Sequence, residues 1–429
     1  MRIPILLASV AALALASCDS GPFSSQQESE TGSSIDESHT GEFREVLKGS
    51  IRHGLTPDLF FKGDIDSASA ADLSDALLQY ASALAMGKVD PAKLGKVYTV
   101  PRPKVDVRAG FNQALAQNKL GEWLESLAPQ TTEYRTLSRA FVHYAEVASK
   151  TPDSNLPQGE PMKLGSDDPR VPALVEALKA VNISARDRAR QLAVALERLR
   201  WLERNPPATR IDVNTAATFL TYFRDGQQRD RRRVVVGEPG WETPQLGSPI
   251  FQLVANPTWT VPESIVEAEI SHKSGAWLRQ NNFVRRNGRW VQQPGPKNAL
   301  GEVKFDMRND EAIYLHDTPA KALFEQDERH KSHGCIRVQG ALDFARMLAS
   351  ENDVLDKFGR AMASGDETFV DLPGEIPVRL MYHTAFVGPD CRVGFVPDVY
   401  GWDNDVAAAL GYETRQPPQL EHRPGDVGP

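Results

Sequence analysis

The sequence predicts a multidomain α+β protein, with an N-terminal all-helical scaffold domain followed by a β-rich, sandwich-like domain that carries an inserted, lid-like lobe. Three observations predict it. From Phe43 to about residue 150, apolar residues recur at helical spacing. A Pro- and Gly-rich stretch, 151–169, then breaks the chain. Beyond Arg210 the apolar period changes to two, the alternation of a half-buried strand. A chain of 429 residues is long enough for several domains with real cores.

Composition is that of an ordinary globular protein, 41% hydrophobic and 25% charged. A net charge of -8 argues against a nucleic-acid partner, which needs a basic face. The basic run Arg229-Asp230-Arg231-Arg232-Arg233 lies between strand-like segments and reads as a solvated hairpin arm.

The N-terminus has Arg2, then an uncharged apolar run from Ile3 that ends at Leu15-Ala16-Ser17-Cys18. The run is too short to span a bilayer comfortably, and small residues before Cys18 fit a signal peptide over 1–17. Leu-Ala-Ser-Cys resembles the bacterial lipobox, which implies lipidation of Cys18 as the new N-terminus. Asp19 resembles an inner-membrane retention signal, so the expected location is periplasm-facing, anchored by lipid to the inner membrane of a Gram-negative bacterium. Residues 18–41 are a Ser/Gly/Glu/Thr-rich tether with almost nothing apolar.

The scaffold domain is expected over 42–150, with helical stripes at Phe43, Val46, Leu47 and Ile51, and at Leu73, Leu77, Tyr80 and Leu84. Leu120, Leu124 and Leu127 form a third stripe, and Leu137, Phe141, Tyr144 and Ala148 a fourth. His53 and His143 are isolated and read as loop or core histidines. Residues 151–184 are linker plus the start of a wall-binding-like module whose second half is missing. A connecting helix is expected within 185–209, ended by Asn205-Pro206-Pro207. The β-rich domain spans 210–403, with a hairpin around Asp225-Gly226 and strands near 249–255, 302–307, 311–316, 377–387 and 392–396. The lid-like lobe is 263–296, helical over Glu263–Leu278, and a further helix is expected over Gly340–Ala349. Residues 404–429 are a C-terminal tail, Pro-rich and frayed from 413.

The chemistry concentrates in Tyr314-Leu315-His316-Asp317 and Ser332-His333-Gly334-Cys335-Ile336-Arg337. A free cysteine, with pKa ~8.5, is mostly protonated at neutral pH and attacks carbonyls only as thiolate. A nearby imidazole can take that proton, so Cys335 with a histidine is a minimal thiol acyl-transfer device. Either His316 or His333 can serve as base on the sequence alone, although a positioning role suits His333 better. Backbone N–H groups of Gly334 and Cys335 are the candidate oxyanion donors. Tyr314, Ser332, Arg337 and Trp259 are candidates for the substrate groove, Arg337 through a bidentate carboxylate contact or, equally, as a structural ion pair.

His316 and Ser332 are separated by 15 residues, and the chain then reads Ser-His-Gly-Cys. This pattern resembles the L,D-transpeptidase catalytic domain, the YkuD family. The wording Leu196-Glu197-Arg198-Leu199-Arg200-Trp201-Leu202, Asn256-Pro257-Thr258-Trp259-Thr260-Val261-Pro262 and Pro397-Asp398-Val399-Tyr400-Gly401 is similar to its large YcbB-like branch. The resemblance covers 185–403 closely and 43–150 more loosely. The family at large has Asn where Arg337 stands, whereas the branch has Arg. It implies a cysteine acyltransferase that needs no cofactor or metal, with Cys335 as nucleophile, His316 as base and the Asp317 carbonyl orienting that ring. It implies peptidoglycan peptide stems as partners, 3→3 cross-links formed with release of D-Ala, and cell-wall synthesis enzymes as further partners.

Alternatives carry their own signatures. Water as acceptor gives an L,D-carboxypeptidase, and a protein lysine gives attachment of a wall protein. A zinc site from His316, His330, His333 and Cys335 fits no common short-loop spacing. A non-catalytic wall-binding scaffold would not need the intact His/His/Cys set. Sortase-like or cysteine-peptidase chemistry uses the same residue types, but the wider wording of the chain decides against it. Cys391 reads as an idle thiol.

Overall fold

The computed structural model describes residues 39–150, 169, 184–418 and 428. The signal peptide, Cys18, most of the tether and nearly all of the linker module lie outside them. Among the described residues no helix is long and apolar enough to cross a membrane.

The helical body contains α1 (Thr40–Lys48), α2 (Ala70–Met86), α3 (Val107–Ala116), α4 (Leu120–Leu127), α5 (Thr132–Lys150) and α6 (Ala185–Trp201). Their apolar faces meet in one core that includes Phe43, Leu47, Leu77, Tyr80, Leu84, Leu124, Leu137 and Phe141. Ile51 leaves its expected stripe and is 46% exposed, because α1 gives way to a 3₁₀ turn over Gly49–His53 that rotates the face. The helix expected as a connector is a core element. On α6, Leu192 and Leu196 are buried, and so are Glu197 and Arg200, which pair at 2.6 Å. Glu197 also accepts from the Val89 N–H at 2.7 Å and from the Trp201 indole N–H at 3.1 Å, so its buried charge is well satisfied.

The β-rich domain is built on one ten-stranded sheet. Its strands in chain order are β1 (Arg210–Asn214), β2 (Phe219–Arg224), β3 (Gln227–Gly237) and β4 (Ile250–Ala255). The small strands β5 (Trp259–Thr260), β6 (Phe283–Arg286) and β7 (Arg289–Gln292) follow and form a separate sheet. The large sheet continues with β8 (Val303–Met307), β9 (Leu315–His316), β10 (His330–Ser332), β11 (Ile336–Val338), β12 (Thr368–Ile376) and β13 (Val378–Met381). Its order is β12-β4-β8-β9-β11-β3-β2-β1-β13, with β10 also paired to β3. β12 and β13 stand at opposite ends of that order, yet only Pro377 separates them in the chain. The sheet therefore curls round a single core of Ile211, Val213, Leu220, Val234, Leu253, Phe305, Leu315 and Ile336. Helices α7 (Ala341–Glu351) and α8 (Leu355–Ser364) supply Phe344, Leu348 and Phe358 to it.

Several expectations shift at their edges. The strand expected over 311–316 is short, because Ala312 sits at φ 54° and only Leu315–His316 joins the ladder. The strand expected over 377–387 splits into β13 and β14 (Ala385–Val387), and β14 pairs with β15 (Val393–Phe395). The lobe is wider than 263–296, since β5 pairs with β7 and its small core runs from Trp259 to Leu300. Its expected helix is broken into Glu263–Ile265, a π turn over Val266–Ile270, and Gly275–Gln280, the last capped by Ser274 at 3.2 Å. The tail is held as far as Arg415, which bonds to Asn404 and Asp187. Helix α9 (Asp403–Ala409) places Val406, Ala407 and Leu410 in the helical core, and Asp403 receives Arg198 of α6 at 2.5 Å. The basic run is no solvated arm either: Arg231, Arg232 and Arg233 are half-buried, with Arg231 over Phe219 and Arg232 over Phe344.

Candidate active site

Parallel pairing of β9 with β11 sets Leu315 opposite Ile336 and His316 opposite Arg337. Because strand side chains alternate, Leu315 and Ile336 enter the core while His316 and Arg337 share the other face; Cys335, in the turn just before β11, belongs to that core, and Tyr314 packs against it. Gly334 makes the turn into β11 possible: it sits at φ 110°, a conformation that side chains rarely adopt. The turn is braced from inside. Ser332 Oγ donates to the Cys335 carbonyl at 2.6 Å and accepts the Gly334 N–H at 3.2 Å. Thr243 Oγ1 donates to the Gly334 carbonyl at 2.8 Å.

The thiol of Cys335 is only 5% exposed as a residue and points to the Ala312 carbonyl, 3.7 Å from Sγ. Burial pushes its pKa up to about 11, against a smaller downward pull from Tyr314. His316 is fully buried, with Nδ1 donating to the Asp317 carbonyl at 2.5 Å. That bond puts the ring proton on Nδ1 and the lone pair on Nε2, which has no hydrogen-bond partner among the described residues. Burial, and then the charge of Arg337, hold His316 well below the usual histidine range, so the ring is neutral.

His333 is held in the opposite state. Its Nδ1 faces the Gly428 carbonyl at 2.7 Å and its Nε2 faces the Glu269 carboxylate at 3.0 Å. Both partners are acceptors, so both ring nitrogens donate and the ring is an imidazolium. Its pKa is raised accordingly: burial works against the charge, but Glu269 and the Gly428 carbonyl outweigh it. Trp241 packs its ring edge-on to it, with centroids 4.9 Å apart.

The remaining expected residues fall into two groups. Tyr314 is on the site: its ring meets His316 at 5.6 Å between centroids, and it also packs against the core of the lobe. Burial raises its hydroxyl pKa far above the usual value. Ser332 and Trp259 do not line a groove. Ser332 is completely buried and spent on the turn, while Trp259, 1% exposed, is core of the lobe beside Phe283. Gly334 cannot offer its N–H to an oxyanion as the turn stands, because Ser332 accepts it. Arg337 is buried, and a Cβ on Gly428 would stand 3.2 Å from its Nη2. His330 is drawn away to Glu328 at 2.6 Å and the Thr215 carbonyl at 3.0 Å. Among the described residues no three His, Cys, Asp or Glu side chains are grouped to hold a metal ion. Cys391 is exposed and free.

Sequence reasoning missed Glu269, Trp241, Thr243 and Ala312. None lies in a motif. Glu269 is a plain acidic residue in a helical stretch until the lobe folds over and sets it on His333.

A helical body ahead of a curled β domain, with a buried cysteine in a Ser-His-Gly-Cys turn, defines the class. Residues 208–368 match the L,D-transpeptidase catalytic domain (YkuD), and residues 35–141 match the Scaffold domain. The chain thus carries a YkuD-family L,D-transpeptidase catalytic domain behind a Scaffold domain. A curated Haemophilus influenzae protein whose name assigns it to the L,D-transpeptidases is 28% identical over 336 residues. That match takes in 73% of this chain but spans only 61% of the relative's length. Solved structures overlap weakly. An L,D-transpeptidase from Mycobacterium smegmatis shares 13% identity at a TM-score of 0.25, covering 41% of this chain and 58% of its own. The catalytic domain of the E. faecium L,D-transpeptidase acylated by ertapenem shares 16% at 0.20, covering 32% of this chain and 85% of its own.

Proposed function

We propose that this protein is a peptidoglycan L,D-transpeptidase that forms 3→3 cross-links through a thioester on Cys335. The observation that carries the reading is the division of state between the two histidines. His316 is neutral with a bare Nε2, while His333 is a cation with both nitrogens donating. Only His316 has a lone pair to accept the thiol proton.

Cys335 attacks the carbonyl of the third stem residue, usually meso-diaminopimelate, as its S–H proton passes to Nε2 of His316. The Cys335 N–H is the oxyanion donor that the turn leaves available. The proton then returns from His316 to the amine of the departing D-Ala, which leaves the thioester. A side-chain amine of a second stem attacks the thioester and loses its proton to His316. That proton goes back to the sulfur as the new amide forms and Cys335 departs as thiol. A thiol at pKa about 11 and a neutral imidazole mean that deprotonation belongs to the attack and not to the resting enzyme. Burial of the thiol and the lobe seated on His333 favour an amine acceptor over water.

The lipobox-like Leu15-Ala16-Ser17-Cys18 and the following Asp19 support anchoring by lipid at the periplasmic face of the inner membrane. Incubating the chain from 19 to 429 with a disaccharide-tetrapeptide should yield 3→3 dimers by mass spectrometry, and C335A should yield none. Dimers from C335A end the proposal. A carbapenem should add covalently to Cys335 alone.

A further inference from the structure

We infer that the cavity between the helical body and the β domain is a binding site for a small zwitterion, an α-amino carboxylate with an apolar side chain, held between Arg231 and Glu133. The cavity has a volume of about 290 Å³ and opens between the start of α5, the end of α6 and the outward face of β1, β2, β3 and β13. Strand alternation builds that face: Ile211, Val213, Leu220 and Tyr222 enter the curled core, so Arg210, Asp212, Phe219 and Phe223 point to the cavity. No residue of the Ser332–Cys335 turn lines it.

Most of its charges are already spent. Asp212 takes a fork from Arg379 at 2.7 and 2.8 Å and a third bond from Arg210 at 2.9 Å. Arg204 is used by the carbonyls of Leu84 and Ala85 at 3.1 and 2.7 Å. Three charged wall groups have no ion pair among the described residues: Arg231, Glu133 and Glu203. The Arg231 guanidinium lies over the Phe219 ring at 4.4 Å and has no ion pair among the described residues. The Glu133 carboxylate accepts only the Val387 N–H, at 3.3 Å, and has no cation in contact among the described residues. Each feels the other's field without touching it. A third wall group, His383, is 7% exposed, kept neutral by burial, and makes no side-chain hydrogen bond among the described residues.

A half-buried charge without a partner is costly, so a cavity that keeps the Arg231 cation apart from the carboxylates of Glu133 and Glu203 is suited to a ligand bearing both signs. The guanidinium fork matches a carboxylate in bidentate fashion, and Glu133 matches an ammonium. Leu202, Met381 and Phe386 supply an apolar wall for a side chain. The volume, at the small end of the range for ligand pockets, suits a single amino acid. The basic run around Arg231, which the transfer reaction does not use, thereby acquires a role.

Isothermal titration calorimetry on the chain from 19 to 429 tests this with L- and D-leucine as probes. At least one enantiomer should bind saturably. N-acetyl-leucine, which lacks the ammonium, and leucinamide, which lacks the carboxylate, should each bind about tenfold or more weakly, the cost of one lost charged contact. R231Q should weaken leucine by a similar factor yet leave leucinamide unchanged, and E133Q should weaken leucine yet leave N-acetyl-leucine unchanged. C335A should bind as the wild type does. The inference is overturned by no saturable binding of leucine up to about 10 mM, where a contact worth ~4 kcal/mol would saturate. It is equally overturned if the capped forms bind as well as leucine, or if C335A abolishes binding, which would put the ligand at the thiol.

Discussion

The resting charge state of Cys335 can be read from its alkylation by iodoacetamide as a function of pH. Burial places its pKa at about 11, so at pH 7 the thiolate fraction is roughly 10⁻⁴, against about 3% for an ordinary free cysteine. The deficit is about 300-fold. A more basic thiolate is intrinsically more nucleophilic, and with a Brønsted slope near 0.45 that restores roughly tenfold. Alkylation at pH 7 should therefore run about twenty- to thirtyfold below that of an ordinary thiol. Limited access to a residue 5% exposed slows it further. The rate should keep climbing about tenfold per pH unit up to pH 10, where an ordinary thiol has levelled off. Exposed Cys391 provides an internal comparison in the same sample, each site quantified by peptide mass spectrometry. If Cys335 reacts at pH 7 as fast as Cys391, or levels off below pH 8, the enzyme rests as a thiolate–imidazolium pair and the reasoning fails.

The two histidines should separate in acylation by a carbapenem followed by stopped flow: H316A should lose about 10²–10⁴-fold, the usual worth of a general base, and H333A distinctly less. E269Q removes the carboxylate that holds His333 charged, a pair only 10% and 23% exposed, and should destabilise the protein by about 1 kcal/mol. Because the folded pKa of His333 is raised, that stability is fully present below its unfolded value of about 6.5 and is lost as pH rises through the folded value. Melting temperatures of wild type and E269Q should thus differ most near pH 6 and converge on the alkaline side. G334A forces a side chain into φ 110°, where Ile313 Cδ1 would lie 3.4 Å from the new Cβ. The strain should cost about 1–3 kcal/mol in thermal unfolding and disturb acylation more than folding.

How much of this was legible beforehand depends on whether the deciding contact is local. The catalytic stretch was legible because its chemistry is set by neighbours in the chain: His316 leans on the carbonyl of the next residue, and Gly334 precedes the sulfur it positions. The helical stripes of α2 and α5 were legible because one periodic face suffices to bury Leu77 or Phe141. The edges of the lobe are not legible, because β5 pairs with a strand some thirty residues on, which no local pattern announces. Ser332 and Trp259 looked like groove residues by position, yet long-range packing turned one into a turn brace and the other into core.

The order of the two domains, the cysteine and its two histidines, and the glycine that turns the chain between them are all readable in the linear chain. Those are properties of short stretches, where spacing and backbone preference act directly. Which histidine keeps a lone pair is settled only on folding. That choice rests on the burial of His316 and then on Arg337 across the ladder from it, on Glu269 arriving with the lobe, and on Gly428 at the far end of the chain. Protonation is set by the charges and carbonyls gathered around a ring, and three distant segments gather here only when the chain is folded.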